Sequence, residues 1–173
     1  MKYEDIILRA PEPEDLELLY KWENDTALWH LSNTLSPFSK FTLKRYIETS
    51  DKSIFEAGQL RLMIQIEQTS ETIGTVDLFD FDPFNSRAGI GILIADKSSR
   101  RKGYAKIAVK AMIDYCFSRL KIHQLYCNIA AGNSASIRLF KEAGFVESGR
   151  KKDWLFNGSS YEDELLFQKV HSG

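Results

Sequence analysis

Apolar positions along the chain change period several times, and each change marks an element. Ile6-Ile7-Leu8-Arg9-Ala10 reads as a short strand, and Pro13 followed by Glu14 and Asp15 starts a helix that would turn Leu16, Leu19 and Tyr20 inward, acidic residues suiting its positive end. Trp22 to Phe41 is aromatic-rich and irregular with Pro37 as a breaker, a composition suited to the wall of a pocket or to a packed connection, and Leu43, Tyr46 and Ile47 mark a further short helix. Leu62, Ile64 and Ile66 alternate with polar neighbours, Thr69-Ser70-Glu71 turns the chain, and Ile73 to Phe81 resumes strand character, which predicts an antiparallel hairpin. After a turn at Pro83-Phe84-Asn85, Ala88 to Ala95 is almost wholly apolar and suits the middle of a sheet covered on both faces. Gly89 and Gly91 within it point to a bulge or to a close approach by another backbone.

From Ala105 to Leu120 the period becomes helical: Ala105, Val109, Ile113, Phe117 and Leu120 form one row, with Ala108, Met112 and Cys116 beside it. Gln124 to Ile129 is again a strand, so strand, helix and strand form a crossover whose two strands lie parallel. Asn133 caps a short helix that runs through Ala143 and ends at Gly144, and Trp154 to Val170 reads as two strands about the turn dipeptide Asn157-Gly158. No repeat or linker divides the 173 residues, so a single α/β or α+β domain over 1–173 is expected.

Composition narrows what such a domain does. A formal charge of −1 offers no basic field for nucleic acid or anionic lipid, so neither is expected as a partner. Cys116 and Cys127 lie in apolar patterns with no second Cys or His at ligand spacing, which predicts buried free thiols and no metal. The start of the chain turns acidic at once and no run reaches membrane-spanning length, the pattern of a cytoplasmic protein.

Chemistry concentrates in Asp96 to Ala108, where an apolar strand ends, a basic glycine-containing loop follows and a long helix begins. The first N–H groups of a helix lack intrahelical acceptors and carry partial positive charge, so a pyrophosphate satisfies both. Gly103 removes a Cβ from its path, Ala105 is small, and Arg100, Arg101 and Lys102 add charge. Taken alone, the same residues also read as a solvated charge run. The loop matches neither the three-glycine dinucleotide fingerprint nor the phosphate loop ending in Gly-Lys-Ser/Thr.

Arg100-Arg101-Lys102-Gly103-Tyr104-Ala105 resembles the acetyl-CoA signature of the GNAT acetyltransferase superfamily, Gln/Arg-x-x-Gly-x-Gly/Ala. About thirty residues on, Asn133-Ser134-Ala135-Ser136, with Gly144-Phe145 closing the segment, resembles the superfamily's Asn-x-x-(Ser/Ala)…Gly-Phe motif. Within the superfamily the chain is similar to ribosomal-protein N-terminal acetyltransferases and to spermidine acetyltransferases. The likeness implies a twisted mixed sheet of six or seven strands flanked by helices, with the strands at 88–95 and 124–129 splayed apart. It also implies acetyl-CoA as co-substrate, bound by Ile92, Leu93, Ile94, the 100–105 loop, Asn133, Ser136 and Phe140, and an amine acceptor that is either a small molecule or a peptide N-terminus.

Attack on a thioester needs an unprotonated amine, a polarised carbonyl and a proton for the departing thiolate. By the likeness, a strand N–H among Ile92 to Ile94 polarises the carbonyl. The tyrosine that many members use as acid corresponds to Phe140, which has no proton to give, so Ser136 becomes the leading acid and Tyr126 the second. Glu23, His30, Asp77, Asp80 and Asp82 are candidate bases, although each acid among them reads more readily as a surface or turn charge and His30 also reads as a packing histidine. Alternating carboxylates in Asp77-Leu78-Phe79-Asp80-Phe81-Asp82 suit a cationic amine, whereas Gly89 and Ile90 stand where polyamine enzymes carry an acidic residue. A CoA-binding sensor without efficient catalysis is the alternative class. Trp154-Leu155-Phe156 suits a sheet edge covered by a second copy, which leaves a homodimer open.

Overall fold

The computed structural model describes residues 1–29 and 34–171. Eight strands form one mixed sheet: β1 (Lys2–Tyr3), β2 (Ile6–Arg9), β3 (Leu60–Ile66), β4 (Thr72–Asp82), β5 (Arg87–Ile94), β6 (Gln124–Ala130), β7 (Val146–Phe156) and β8 (Tyr161–Val170). Their order is β1-β2-β3-β4-β5-β6-β8-β7, and every neighbouring pair is antiparallel except β5 and β6, which run parallel. The strand beyond the expected six or seven comes from β1, whose two residues leave no periodic trace.

The helices that bear on the site or the core include α1 (Leu16–Glu23), α2 (Lys40–Glu48), α3 (Ile54–Ala57), α4 (Tyr104–Ser118) and α5 (Ser134–Glu142). Residues i and i+2 of a strand share a face. Ile64, Val76, Leu78 and Ile90 therefore pack with Ala108, Val109, Met112 and Cys116 of α4, while Met63 on the opposite face packs with Leu19, Trp22, Leu43 and Ile47 of α1 and α2. Trp22 takes the inward position expected for Tyr20, which is exposed. Asp15, at the start of α1, is buried and accepts two bonds from Arg9, at 2.6 and 2.8 Å. Burial works against its charge, but the Arg9 guanidinium and the Glu12 N–H outweigh it and hold the carboxyl below the usual aspartate value.

The feature that positions the site is a fork. Strands β5 and β6 pair only through Arg87↔Gln124, Ala88↔Leu125 and Gly89↔Tyr126. Beyond that point β5 stays with β4 as far as Gly74↔Ile94, and β6 stays with β8 as far as Ala130↔Glu164, so two supported ribbons diverge. Phe79 sits where they part. A Cβ on Gly89 would lie 2.2 Å from its ring, and that ring meets Tyr126 edge-on at 6.1 Å. Gly89 thus makes room for an aromatic ring from β4 rather than for another backbone. The close backbone approach occurs at Gly74 instead, where a Cβ would stand 1.9 Å from the Leu93 carbonyl oxygen. The bulge is also on β4, between Phe79 and Asp82, where Asp80 has φ 48°.

Candidate active site

The fork leaves an edge of β5 unpaired. The Leu93 carbonyl faces Gly74 on β4, and the Ala95 N–H donates to Ile73 O at 2.9 Å on the same side. Peptide groups of successive strand residues point to alternate edges, so those of Ile92 and Ile94 face the gap. Ile94 O already accepts from Arg100 Nε at 2.9 Å. Of the expected trio Ile92, Leu93 and Ile94, the first and last turn their N–H groups to the fork, while Leu93 contributes its side of the strand to a cavity.

At the open end of the fork, Arg101 and Gly103 both adopt left-handed conformations, with φ 63° and 89°, and deliver the chain into α4. The side chains of Arg101 and Lys102 are exposed, Tyr104 and Ala105 are half-buried, and nothing lies within 4 Å of where a Gly103 Cβ would stand. The N–H groups of Tyr104 and Ala105, in the first turn, precede the first intrahelical donors, Lys106 and Ile107, which bond Gly103 O. These donors, the vacant space over Gly103 and the basic side chains fit a pyrophosphate. Arg100 differs from its neighbours, because it braces the loop through Ile94 O rather than standing free.

Across the gap, the Asn133 side chain caps α5 by accepting from Ser136 N at 3.1 Å. Ser136 is half-buried in the first turn, and among the described residues its hydroxyl meets no partner. Phe140, one turn on, is buried against Phe145 at 5.1 Å and belongs to the core. Tyr126 directs its hydroxyl to Asp80 Oδ2 at 3.3 Å, and burial together with that negative charge raises its pKa above the ordinary tyrosine value. Its proton is therefore harder to give up.

A cavity of about 390 Å³ opens onto the fork from the face opposite α4. Gly91, Ile92 and Leu93 of β5 and Asn128 of β6 form its floor, and Trp22, Leu28, Trp29 and Phe79 its apolar wall. Of the stretch Trp22 to Phe41, residues 34–41 take no part, while Trp22, Glu23, Leu28 and Trp29 thus line a pocket. Its charged groups are Glu23, Asp77 and Glu164, with Arg61 the one guanidinium. Arg61 bridges Asp77, Nε to Oδ1 at 2.7 Å, and Glu23 through Nη1. Burial opposes its charge, but the two carboxylates outweigh that and raise its pKa.

Of the candidate bases, Glu23 and Asp77 therefore meet in the cavity. Asp80 lies under Tyr126, Asp82 closes the β4–β5 turn by accepting from Asn85 N and Nδ2, and His30 falls outside the described residues. Sequence reasoning passed over Arg61 and Glu164. An arginine inside the apolar run Leu60 to Ile66 was the available signal for the first, but Glu164 sits among Glu162 and Asp163 with nothing to distinguish it.

Cys116 and Cys127 are free and buried, and burial pushes both thiols up to about 12. The native protein is expected to release no colour with a disulfide thiol reagent at pH 8, and two equivalents after denaturation; a fast native equivalent would contradict that burial. Among the described residues no three His, Cys, Asp or Glu side chains could hold a metal, and no helix is long and apolar enough to cross a membrane.

A strand fork beside a helix start whose free N–H groups and basic loop suit an anion, with an acidic, aromatic cavity beneath, is the arrangement of an acyl-CoA-dependent transferase acting on amines. Residues 5–146 match the family model described as the acetyltransferase (GNAT) domain, and the chain belongs to that family. It is 27% identical over 161 residues to the spermidine N(1)-acetyltransferase of Vibrio cholerae, covering 91% of this chain and 88% of the relative, and 25% identical over 158 residues to that of Escherichia coli K12, covering 91% and 82%. The fold is shared with the crystal structure of a Vibrio cholerae spermidine N-acetyltransferase in complex with CoA and spermine, at a TM-score of 0.87 and 24% identity over 97% of this chain and 96% of that one. A dodecameric structure of spermidine N-acetyltransferase from Vibrio cholerae superposes at 0.79, with 24% identity over 97% and 95%. The protein is an N-acetyltransferase that takes its acetyl group from acetyl-CoA.

Proposed function

We propose that the chain, acting as one domain over 1–173, acetylates a small cationic amine by direct attack within a ternary complex. The observation that carries this reading is the cavity at the fork, whose lining brings three carboxylates and one guanidinium between aromatic walls. Carboxylates attract an ammonium group and aromatic faces hold its alkyl body. The acidic groups come from α1, β4 and β8, so their absence at Gly89 and Ile90 does not weigh against a polyamine. The names of the Vibrio and Escherichia relatives support the same class.

In this reading Arg101, Lys102, Gly103, Tyr104 and Ala105 hold the phosphates of acetyl-CoA, and Arg100 keeps their loop against β5. Acetyl-CoA supplies the acetyl group already activated as a thioester. The N–H of Ile92 or Ile94 polarises the carbonyl, because those are the donors the fork leaves without a strand partner. Ser136 gives the proton to the departing thiolate, a role supported by its unengaged hydroxyl; Tyr126, committed to Asp80, ranks second. Buried thiols and dependence on acetyl-CoA suit the cytoplasm. The exposed aromatic residues Trp154 and Phe156 of the edge strand β7 suit contact with a second copy.

Release of CoA thiol from acetyl-CoA, measured over polyamines, amino sugars, amino acids and N-terminal peptides, tests the class. Cationic small amines are expected to turn over, and turnover confined to peptides would overturn the small-amine reading. In Ser136→Ala, kcat is expected to fall about a hundredfold or more, with KM for acetyl-CoA little changed. An unchanged kcat would remove the serine from the proton's path.

A further inference from the structure

We propose that Glu164 and the Trp154 indole form a subsite for a second ammonium group of the acceptor, and that Lys151 fills it as an internal competitor until the acceptor displaces it. This rests on the cationic-amine reading above.

Glu164 lies opposite Ala130 of β6 on one side and Lys151 of β7 on the other. Its side chain is 9% exposed and lines the cavity, and Lys151 Nζ stands 2.6 Å from its Oε2. The same Nζ is 4.9 Å from the centre of the Trp154 ring. Trp154 reaches that position because β7 slips register between Lys151 and Leu155. The slip is pinned by Asp163, which accepts from Asp153 N at 3.0 Å and from Arg150 Nε at 2.6 Å. A carboxylate beneath an aromatic face is a receptor for an ammonium ion, and here the chain supplies the ion itself.

The three cavity carboxylates are not equivalent. Glu23 and Asp77 are clamped by Arg61, which is itself largely buried and bonded to both, so their counter-ion stays. Glu164 is paired with a flexible amine 42% exposed to solvent. Lys151 can return to water at little cost, whereas Glu164 left alone would be a buried charge without a partner. An arriving ammonium group therefore takes the place of Lys151 at Glu164 rather than adding to it. That group is the one that does not react, because a carboxylate beside the reacting nitrogen would hold its proton.

The proposal predicts a gain on deleting a charged residue, which a merely structural pair would not give. With 1,4-diaminobutane as acceptor, Lys151→Met is expected to lower KM about three- to tenfold and leave kcat within about twofold, while KM for butylamine stays put. Glu164→Gln is expected to raise KM for the diamine about tenfold, and the Lys151→Met gain is expected to vanish in the double variant. An unchanged or raised diamine KM in Lys151→Met, or a gain that survives Glu164→Gln, would overturn the subsite. If the parent acetylates no amine at all, the activity reading falls. Calorimetric titration of 1,4-diaminobutane into the parent and the variants with CoA present still decides the subsite: tighter binding in Lys151→Met alone supports it, and any other order refutes it.

Discussion

Gly103→Glu is expected to raise the Kd for acetyl-CoA about a hundredfold or more and so to abolish transfer at ordinary concentrations, while leaving the fold at least as stable as Gly103→Ala. Both variants place a side chain at φ 89°, and each loses about 1 kcal/mol to that left-handed backbone. Neither meets a clash, since no atom lies within 4 Å of the new Cβ. What separates them is charge. A carboxylate at the start of α4 lies at the positive end of a fifteen-residue helix and stabilises the free protein by about 0.3 to 1 kcal/mol. The same carboxylate occupies the place proposed for the phosphates and repels them. The order of melting temperatures, Glu at or above Ala, should therefore be the reverse of the order of acetyl-CoA affinities. A Gly103→Glu protein that binds acetyl-CoA as the parent does would show that the phosphates lie elsewhere.

What the sequence disclosed and what it hid follow one physical division. The crossover from β5 through α4 to β6 was legible because each segment has a single strong period and a marked end, and the cap at Asn133 and the left-handed stop at Gly144 are local chemistry. Leu16, Leu19 and Tyr20 fall at helical spacing, but so do Leu19 and Trp22, and only packing against Met63 of β3 decides which stripe turns inward. The acceptor cavity was illegible for a different reason. Its charged groups come from α1, β3, β4 and β8, and which of them converge depends on register across the whole sheet. The run Asp77 to Asp82 shows how a single irregularity defeats the pattern. Asp77, still in regular register with Gly91, lines the cavity, whereas the bulge that follows sets Asp80 beneath Tyr126 and Asp82 in a turn, so three carboxylates with one apparent purpose have three.

Arg61 is the residue on which that convergence depends, and Arg61→Met is expected to destabilise the protein by roughly 3 kcal/mol at pH 7.5, a fall in melting temperature of about 10 °C. The guanidinium holds Glu23 and Asp77 together with its side chain 23% exposed and theirs 20% and 25%, so removing it leaves two carboxylates close together and poorly solvated. The lost cation itself contributes no pH dependence in the working range. Its pKa is raised from an already high value, so the stability it gives is present below that value and lost only in strong alkali. The variant behaves differently. Without the arginine, desolvation and mutual repulsion raise the folded-state pKa of at least one of the two acids, and a group whose folded pKa is raised costs stability when ionised and recovers it as pH falls through that value. The gap in melting temperature between parent and Arg61→Met should therefore narrow from pH 7.5 to pH 5. It should close by more than half at pH 7.5 when Glu23→Gln and Asp77→Asn are added to the variant, because neutral amides of the same shape need no counter-charge. A gap that is independent of pH and survives both amides would mean that Arg61 acts through packing, including its stacking on the Tyr46 ring at 5.6 Å, rather than as the charge that gathers the acids of the cavity.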